Sequence, residues 1–311
     1  MVLGMFVWTV LVVLTMIYAT ISRRGVVYVC PMWGIGNRLR TLRKGYAVAT
    51  ALGKEFVIVE RDDAFFAKTS MGDLWNLPFR HVSMSWFNDV HRTSTHTLIP
   101  HKCELHTSLT ELKPHKNIFI KACDINCEGI SKDAHSLYDV IRHDVDPRFK
   151  GVVSKVLENR HRIVGVHVRQ GSKTDWKRGY FFSDEWDGIS KREPSSAPNF
   201  CCFEDASKNL SACPSKITYV EAFVEEMRKL PEDTIFFVCS DRPGCHMYIE
   251  QTFPKRVLRI PSPDTESMDV FRDYADFHCL SLCSHIIVSR ISSFADEARR
   301  PHDVPVTKLE K

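Results

Sequence analysis

The chain has 311 residues, 44% of them hydrophobic and 26% charged, enough to bury one large or two medium cores and too long for a minimal module. Its formal net charge of +4 is small for that length, with no long block of like charge, which excludes a general nucleic-acid binder. An anionic small substrate remains compatible with so modest a positive balance.

Residues Met1 to Ile21 carry no charge. At about 1.5 Å per residue they span roughly the 30 Å of a bilayer core, so one transmembrane anchor is predicted over residues 1–22. A cleaved signal peptide is the rival, but the apolar run is long for that role and lacks a basic start. Arg23 and Arg24 follow the run, and the preference of basic residues for the cytoplasmic side would leave the rest of the chain on that face.

Val26 to Cys30 then reads as a strand, Pro31 to Gly36 as a glycine turn, Asn37 to Leu52 as a basic amphipathic helix, and Phe56 to Val59 as a second strand. That order opens a parallel α/β sheet. Gly34-Ile35-Gly36-Asn37-Arg38-Leu39 begins like a dinucleotide fingerprint, but Leu39 stands where the third glycine belongs, which argues against a nicotinamide oxidoreductase. What remains is a close-packed turn projecting Asn37 and Arg38 from a helix start into a cleft.

From Asp62 to Leu112 the periodicity weakens, with His81, His91, His96, His101 and His106 scattered among polar residues. None pairs at i, i+4 on a recognisable helix or with a cysteine at zinc spacing, so no metal site is predicted. Asp144-Val145-Asp146 has the Asp-x-Asp form of metal-dependent glycosyltransferases, yet Asp146 precedes Pro147 as a helix cap would.

The capped helix should run to Asn159 and lead into a strand, Ile163 to Val168. Further alternation follows: helix Ile217 to Leu230, strand Thr234 to Cys239, helix Cys245 to Phe253, strand Val257 to Ile260, helix Glu266 to Cys283, strand His285 to Val288, and a helix from Phe294. Gln170 to Lys216 is irregular. The expected organisation is an anchor at 1–22, an N-terminal α/β lobe at 26–145 and a C-terminal α/β lobe at 146–311, facing a ligand cleft at the strands' carboxyl ends.

Eleven cysteines leave at least one unpaired within the chain. Cys201, Cys202 and Cys213 could be bridged in an oxidising compartment, whereas Cys279 and Cys283, four apart on a helix, read as small core residues. Asn209-Leu210-Ser211 is a glycosylation acceptor site if the domain is luminal.

Three segments follow strands of the second lobe. Arg169 ends an apolar strand, where its planar fork of donors suits phosphate oxygens, although a strand-end arginine also pairs with carboxylates. Asp241, after the strand closing at Cys239, could accept hydrogen bonds from a base or ribose, or cap the helix ahead of Cys245. Ser292, Ser293 and Phe294 open a helix whose free amides and two hydroxyls make an anion site, with ordinary capping as a compatible role.

Taken in order, Gly34 to Leu39, His167-Val168-Arg169 with Gly171 and Asp175-Trp176, Ser240-Asp241, and Ser292-Ser293-Phe294 resemble the superfamily of GDP-fucose-dependent transferases. That superfamily includes the protein O-fucosyltransferases, core alpha-1,6-fucosyltransferases and nodulation fucosyltransferases. The resemblance covers roughly Val26 to Arg299. It implies a GT-B-type fold of two Rossmann-like lobes, GDP-fucose as donor, inversion at the anomeric carbon, no metal or other cofactor, and a glycan or glycoprotein acceptor. On that reading Arg169 binds the β-phosphate beside His167, Ser292, Ser293 and Phe294 line the phosphate site, and Asp241 contacts the nucleoside. Gly36, Asn37 and Arg38 would face the sugar or acceptor. Asp175, on the loop beside Arg169, is the candidate general base, although Arg169 lowers its basicity.

Many relatives carry a second arginine where this chain has Gln170, so Arg169 bears more of the leaving-group charge. Family habit places the catalytic part in the Golgi or endoplasmic-reticulum lumen, against the charge rule. The competing readings are a membrane-tethered glycan- or nucleotide-binding protein without turnover, and a transferase using another nucleotide sugar.

Overall fold

The computed structural model describes residues 25–32, 34–60, 77–90, 92–100, 104–131, 137–140, 145–168, 220–240, 243–261, 270–289 and 292–309. The expected anchor, the Gln170 to Lys216 stretch and Cys201, Cys202 and Cys213 lie outside them. Among the described residues, no helix is long and apolar enough to cross a membrane. The chain divides into two compact units, residues 1–144 and 145–311.

In the first unit β1 (Val26–Pro31) leads to α1 (Ile35–Ala51) and β2 (Glu55–Glu60). Then come β3 (Arg80–Ser83), α2 (Met84–Val90), β4 (His96–Leu98), β5 (Glu104–Ser108), α3 (Leu109–Leu112), β6 (Asn117–Ala122) and β7 (Asp124–Glu128). The main sheet has the order β3-β2-β1-β6-β4 with every pairing parallel, and β5 pairs with β7 as a separate ribbon.

An all-parallel sheet is covered on both faces, so its strands read as near-continuous apolar runs. Tyr28 and Cys30 of β1 and Val57 and Val59 of β2 point to one face, packed with Phe87 of α2 and with Phe119. The Phe87 and Phe119 rings stack with centroids 4.3 Å apart. The alternate residues meet α1. A Cβ at Gly45 would lie 2.6 Å from Val29 Cγ2, so glycine is what lets α1 sit this close to the sheet.

The second unit opens where Asp146 caps a short 3-10 turn at Pro147–Phe149, its Oδ1 accepting from the Arg148 N–H at 2.9 Å. It continues through α4 (Lys150–Glu158), β8 (Ile163–Val168), α5 (Val220–Arg228), β9 (Ile235–Ser240), α6 (Pro243–Thr252) and β10 (Val257–Leu258). The last elements are α7 (Val270–Leu282), β11 (His285–Ser289), α8 (Ser293–Ala298) and β12 (Val306–Leu309). Its sheet is again all parallel, in the order β10-β9-β8-β11-β12.

Val164, Val166 and Val168 of β8 pack with Phe223, Val224 and Met227 of α5 and with Ile249 of α6. The opposite face of β8 carries Gly165 and His167 and receives α7. A Cβ at Gly165 would stand 2.7 Å from Leu280 Cδ2 and 3.2 Å from Cys283 Sγ. Cys279 and Cys283 are free, buried thiols, as their helical spacing implied.

Candidate functional site

The C-terminal sheet runs from β8 outward to β9 and β10, then returns to the other side of β8 with β11 and β12. Where a parallel sheet reverses its winding, the loops leaving neighbouring strands part company and open a crevice at the carboxyl ends. Here that switch point lies between β8 and β11. Val168 is level with Ser240, and His167 is level with both Cys239 and Val288, so three adjacent strands end side by side at about 4.8 Å spacing. Arg169 and Asp241 are the next residues after two of those ends. They, Gln170 and Asp175 lie outside the described residues.

Two of the sequence motifs do meet. His167, half-buried on the α7 face of β8, approaches Ser292 with Nδ1 and Oγ 3.1 Å apart, across 125 positions of chain. Ser292 is itself the N-cap of α8: extended at φ −145°, ψ 103°, it accepts the Ala295 N–H on the same Oγ at 3.2 Å. One hydroxyl therefore fixes the start of α8 and ties it to β8.

The ring of Phe294 lies nearly parallel to the His167 imidazole, with centroids 5.1 Å apart and an interplanar angle of 16°. Phe277 of α7 meets the Phe294 ring edge-on at 5.5 Å. Phe277 was not visible as a site residue from sequence, since one aromatic on a buried helix face carries no distinguishing signal.

The amides of Ser293 and Phe294 stand in the first turn of α8, before the helical ladder begins with the Asp296 N–H on the Ser292 carbonyl at 2.9 Å. Behind them the helix's own carboxylates are matched. Glu297, fully buried, lies 3.4 Å from Arg300, and Asp296 lies 2.9 Å from Lys308. An anion at this end would meet N–H dipoles rather than uncompensated carboxylate charge.

The glycine turn of the first unit differs from expectation. Gly34 sits at φ −68°, ψ 171°, and a Cβ there would meet nothing within 4 Å, so the turn is not close-packed at that residue. Arg38 is only 8% exposed and Arg43 only 1%, so Arg38 is a buried side chain rather than one projected outward. Gly36 is buried and Asn37 half-buried, its carbonyl accepting from Thr41 Oγ1 at 2.9 Å. The basic face of α1 is spent on β7: Lys44 Nζ is 2.5 Å from Asp124 Oδ1 and 3.0 Å from Asn126 Oδ1, with Arg40 3.8 Å from Asp124.

Asp146 is engaged in its cap and in a two-point contact with Arg148, whose hydrogen bonds hold its carboxyl below the usual range. Of the scattered histidines, His81 Nδ1 lies 2.9 Å from Glu60 Oε1 and His96 stacks on His115 at 3.6 Å. Among the described residues no group of His, Cys, Asp and Glu is arranged to hold a metal ion.

No protein-family model matches the chain, and no curated protein matches it. Solved structures do. NodZ alpha-1,6-fucosyltransferase soaked with GDP-fucose is similar at a TM-score of 0.52 and 13% identity, over 92% of this chain and 95% of that one. The same enzyme co-crystallised with GDP gives 0.51 and 14% over the same shares. A mutant of Arabidopsis thaliana FUT1 in complex with GDP gives 0.53 and 12%, over 92% of this chain and 70% of that one. At such identities the likeness is one of fold: the chain, a mixed α/β protein with parallel sheets, as expected from its sequence, shares a fold with NodZ and plant FUT1.

Proposed function

We propose that the chain is a glycosyltransferase that moves fucose from GDP-fucose to a hydroxyl of a glycan or protein, with inversion and without a metal ion. The observation that carries this reading is the junction of His167 with Ser292 and Phe294 at the switch point of the C-terminal sheet, in a fold shared with fucosyltransferases. In this reading the C-terminal unit holds the donor, and the N-terminal unit, through Gly36 and Asn37 at the start of α1, serves the acceptor.

Breaking the bond from sugar to diphosphate builds negative charge on the phosphate oxygens while the sugar becomes oxocarbenium-like. Donors fixed in place before the reaction stabilise that transition state more than the ground state. Arg169 supplies the charge, the Ser293 and Phe294 amides supply dipoles, and Ser292 holds His167 and α8 in register. Asp241 contacts the nucleoside. Asp175 takes the acceptor proton where a base is needed, and a loosely bonded transition state needs little help from one. The uncharged run at residues 1–21 tethers the enzyme to a membrane.

Thermal denaturation with GDP-fucose, GDP-mannose, UDP-sugars and free nucleotides tests the donor, because a ligand stabilises the folded state according to its affinity. GDP-fucose and GDP should raise Tm most, and GDP should be released on incubation with GDP-fucose and a mixed glycan pool. A UDP-sugar giving the largest shift would overturn the donor. Stabilisation without release for any acceptor would favour a binding protein.

A further inference from the structure

The second strand of the C-terminal sheet ends beside a buried imidazole that the described structure leaves unsatisfied. His246 stands early in α6, just beyond Ser240 at the end of β9, and is only 3% exposed. Both Nδ1 and Nε2 are buried and have no hydrogen-bond partner among the described residues. A neutral imidazole carries one N–H and one lone pair, and leaving both unpaired in the interior costs stability. Orphaned polar atoms at the carboxyl end of a parallel sheet have a ready explanation in a ligand that completes them.

The surroundings indicate what that ligand offers. The main chain of Ser240 acts favourably on the protonated ring, although neither nitrogen makes a hydrogen bond of normal geometry. Arg272 of α7 and Arg259 after β10 act on the ring through space. Arg259 is paired with Glu250 at 2.6 Å, and Arg272 lies 3.9 Å from Asp276. Burial first, then these two cations, push the imidazole down to about 4, so it is neutral near pH 7.

With its N–H turned to the Ser240 carbonyl, the other nitrogen is a lone-pair acceptor and calls for an N–H donor. Phosphate has none to give at neutral pH. A nucleobase does, and ligands of open parallel sheets bind in the crevice outside the strands' carboxyl ends, where β9 also ends. β9 lies one step of about 4.8 Å from β8.

Resting on the donor reading above, we propose that His246 is a specificity residue for the nucleobase of the donor, accepting a hydrogen bond from a ring or exocyclic N–H of the base. Phosphate binding at the start of α8 does not involve it.

The test compares the wild-type chain with His246→Leu, His246→Gln and His246→Asn, measuring Kd for GDP, UDP and inorganic pyrophosphate by calorimetry and Tm without ligand. His246→Leu is expected to weaken GDP about tenfold or more, the equivalent of one good buried hydrogen bond, and to narrow the preference for GDP over UDP. Pyrophosphate affinity should stay within about twofold, the reproducibility of such comparisons, and the ligand-free Tm should hold or rise, because an unpaired polar group has been removed. Should the leucine variant not fold, the amides decide. Each keeps one polar end of the imidazole, so one should retain GDP affinity and the other lose it.

Equal GDP affinity in wild type and His246→Leu, or in both amide variants, would overturn the proposal. So would a parallel loss of pyrophosphate binding, which would mark a structural role. Failure of the wild-type chain to bind GDP at all would instead overturn the donor reading on which it rests.

Discussion

The two units are built on one plan and finished differently. Each is a five-stranded parallel sheet whose first strand has the second on one side and a later strand on the other, so each has a switch point at its carboxyl edge. In the N-terminal unit that edge leads to α1, which starts at Gly34 without a side-chain cap and turns its arginines and lysine inward or onto β7. In the C-terminal unit it leads to a helix capped by Ser292, roped to β8 through His167 and braced by Phe294 and Phe277. The ends of the second strands differ as well. In the N-terminal unit Glu60 closes β2 and pairs with His81, whereas His246 near the end of β9 has no partner among the described residues for either nitrogen. Polar groups close ion pairs in the first unit, whereas in the second Ser292 ties α8 to His167 and the buried His246 stands without a partner among the described residues.

The sharpest way to break that comparison is Arg169→Ala. It should cost about 2–4 kcal/mol of transition-state stabilisation, seen as a fall of roughly thirtyfold to a thousandfold in kcat/KM for GDP release. Near-wild-type turnover would remove the C-terminal unit's claim to the donor chemistry.

The two glycines at helix–sheet contacts make a matched pair. Gly165→Val should cost about 1–3 kcal/mol by driving β8 from α7, and because α7 carries Phe277 it should also shrink the Tm increase produced by GDP. Gly45→Ala meets an equal clash at Val29 but gains up to about 1 kcal/mol of helix propensity, so it should lower Tm less and leave the GDP increment alone. Equal effects on the GDP increment would erase the distinction.

The pH dependence of stability follows from His246. Its folded-state value of about 4 lies below the ordinary 6.5, so the unfolded chain takes up the proton first. The neutral ring's contribution is complete above about pH 6.5 and declines as pH falls toward the folded value, by roughly 2 kcal/mol between pH 7 and 5. His246→Leu should flatten that part of the denaturation profile, and an unchanged slope would show that other groups set it.

The smallest contrast is between two caps. Ser108 forms a capping box with Glu111 in the N-terminal unit, so Ser108→Ala should lower stability by about 1 kcal/mol without touching nucleotide binding. Ser292→Ala should cost a similar amount and also weaken GDP, because the same hydroxyl holds His167. Calorimetric Kd values for both variants check the difference.

The inner strands β8, β9 and β11 of the C-terminal unit were legible because buried parallel strands are short apolar runs. Ile163 to Val168 has its predicted bounds, and β9 and β11 are displaced by a residue at most. The N-terminal unit was harder. β6, which lies beside β1 and is central to the sheet, reads Asn-Ile-Phe-Ile-Lys-Ala and is too brief and polar-flanked to stand out from the chain around it. β3, β4 and β12 are edge or near-edge strands with little apolar character, and nothing local demands that they be strands. Asp146 was read as a cap and is one, because capping depends on residues two or three positions away.

By itself the sequence determined the alternation of strands and helices in the C-terminal unit, and which chemistry-bearing residues follow which strands. Those features depend on neighbours a few positions apart, where hydrophobic period and capping act. Only the tertiary structure decided that β11 lies against β8 and so brings Ser292 and Phe294 to His167, that Arg38 is buried, and that His246 is left without a partner among the described residues. Strand pairing joins segments more than a hundred residues apart, and burial depends on everything packed around a side chain. Neither is written in the local pattern of the chain.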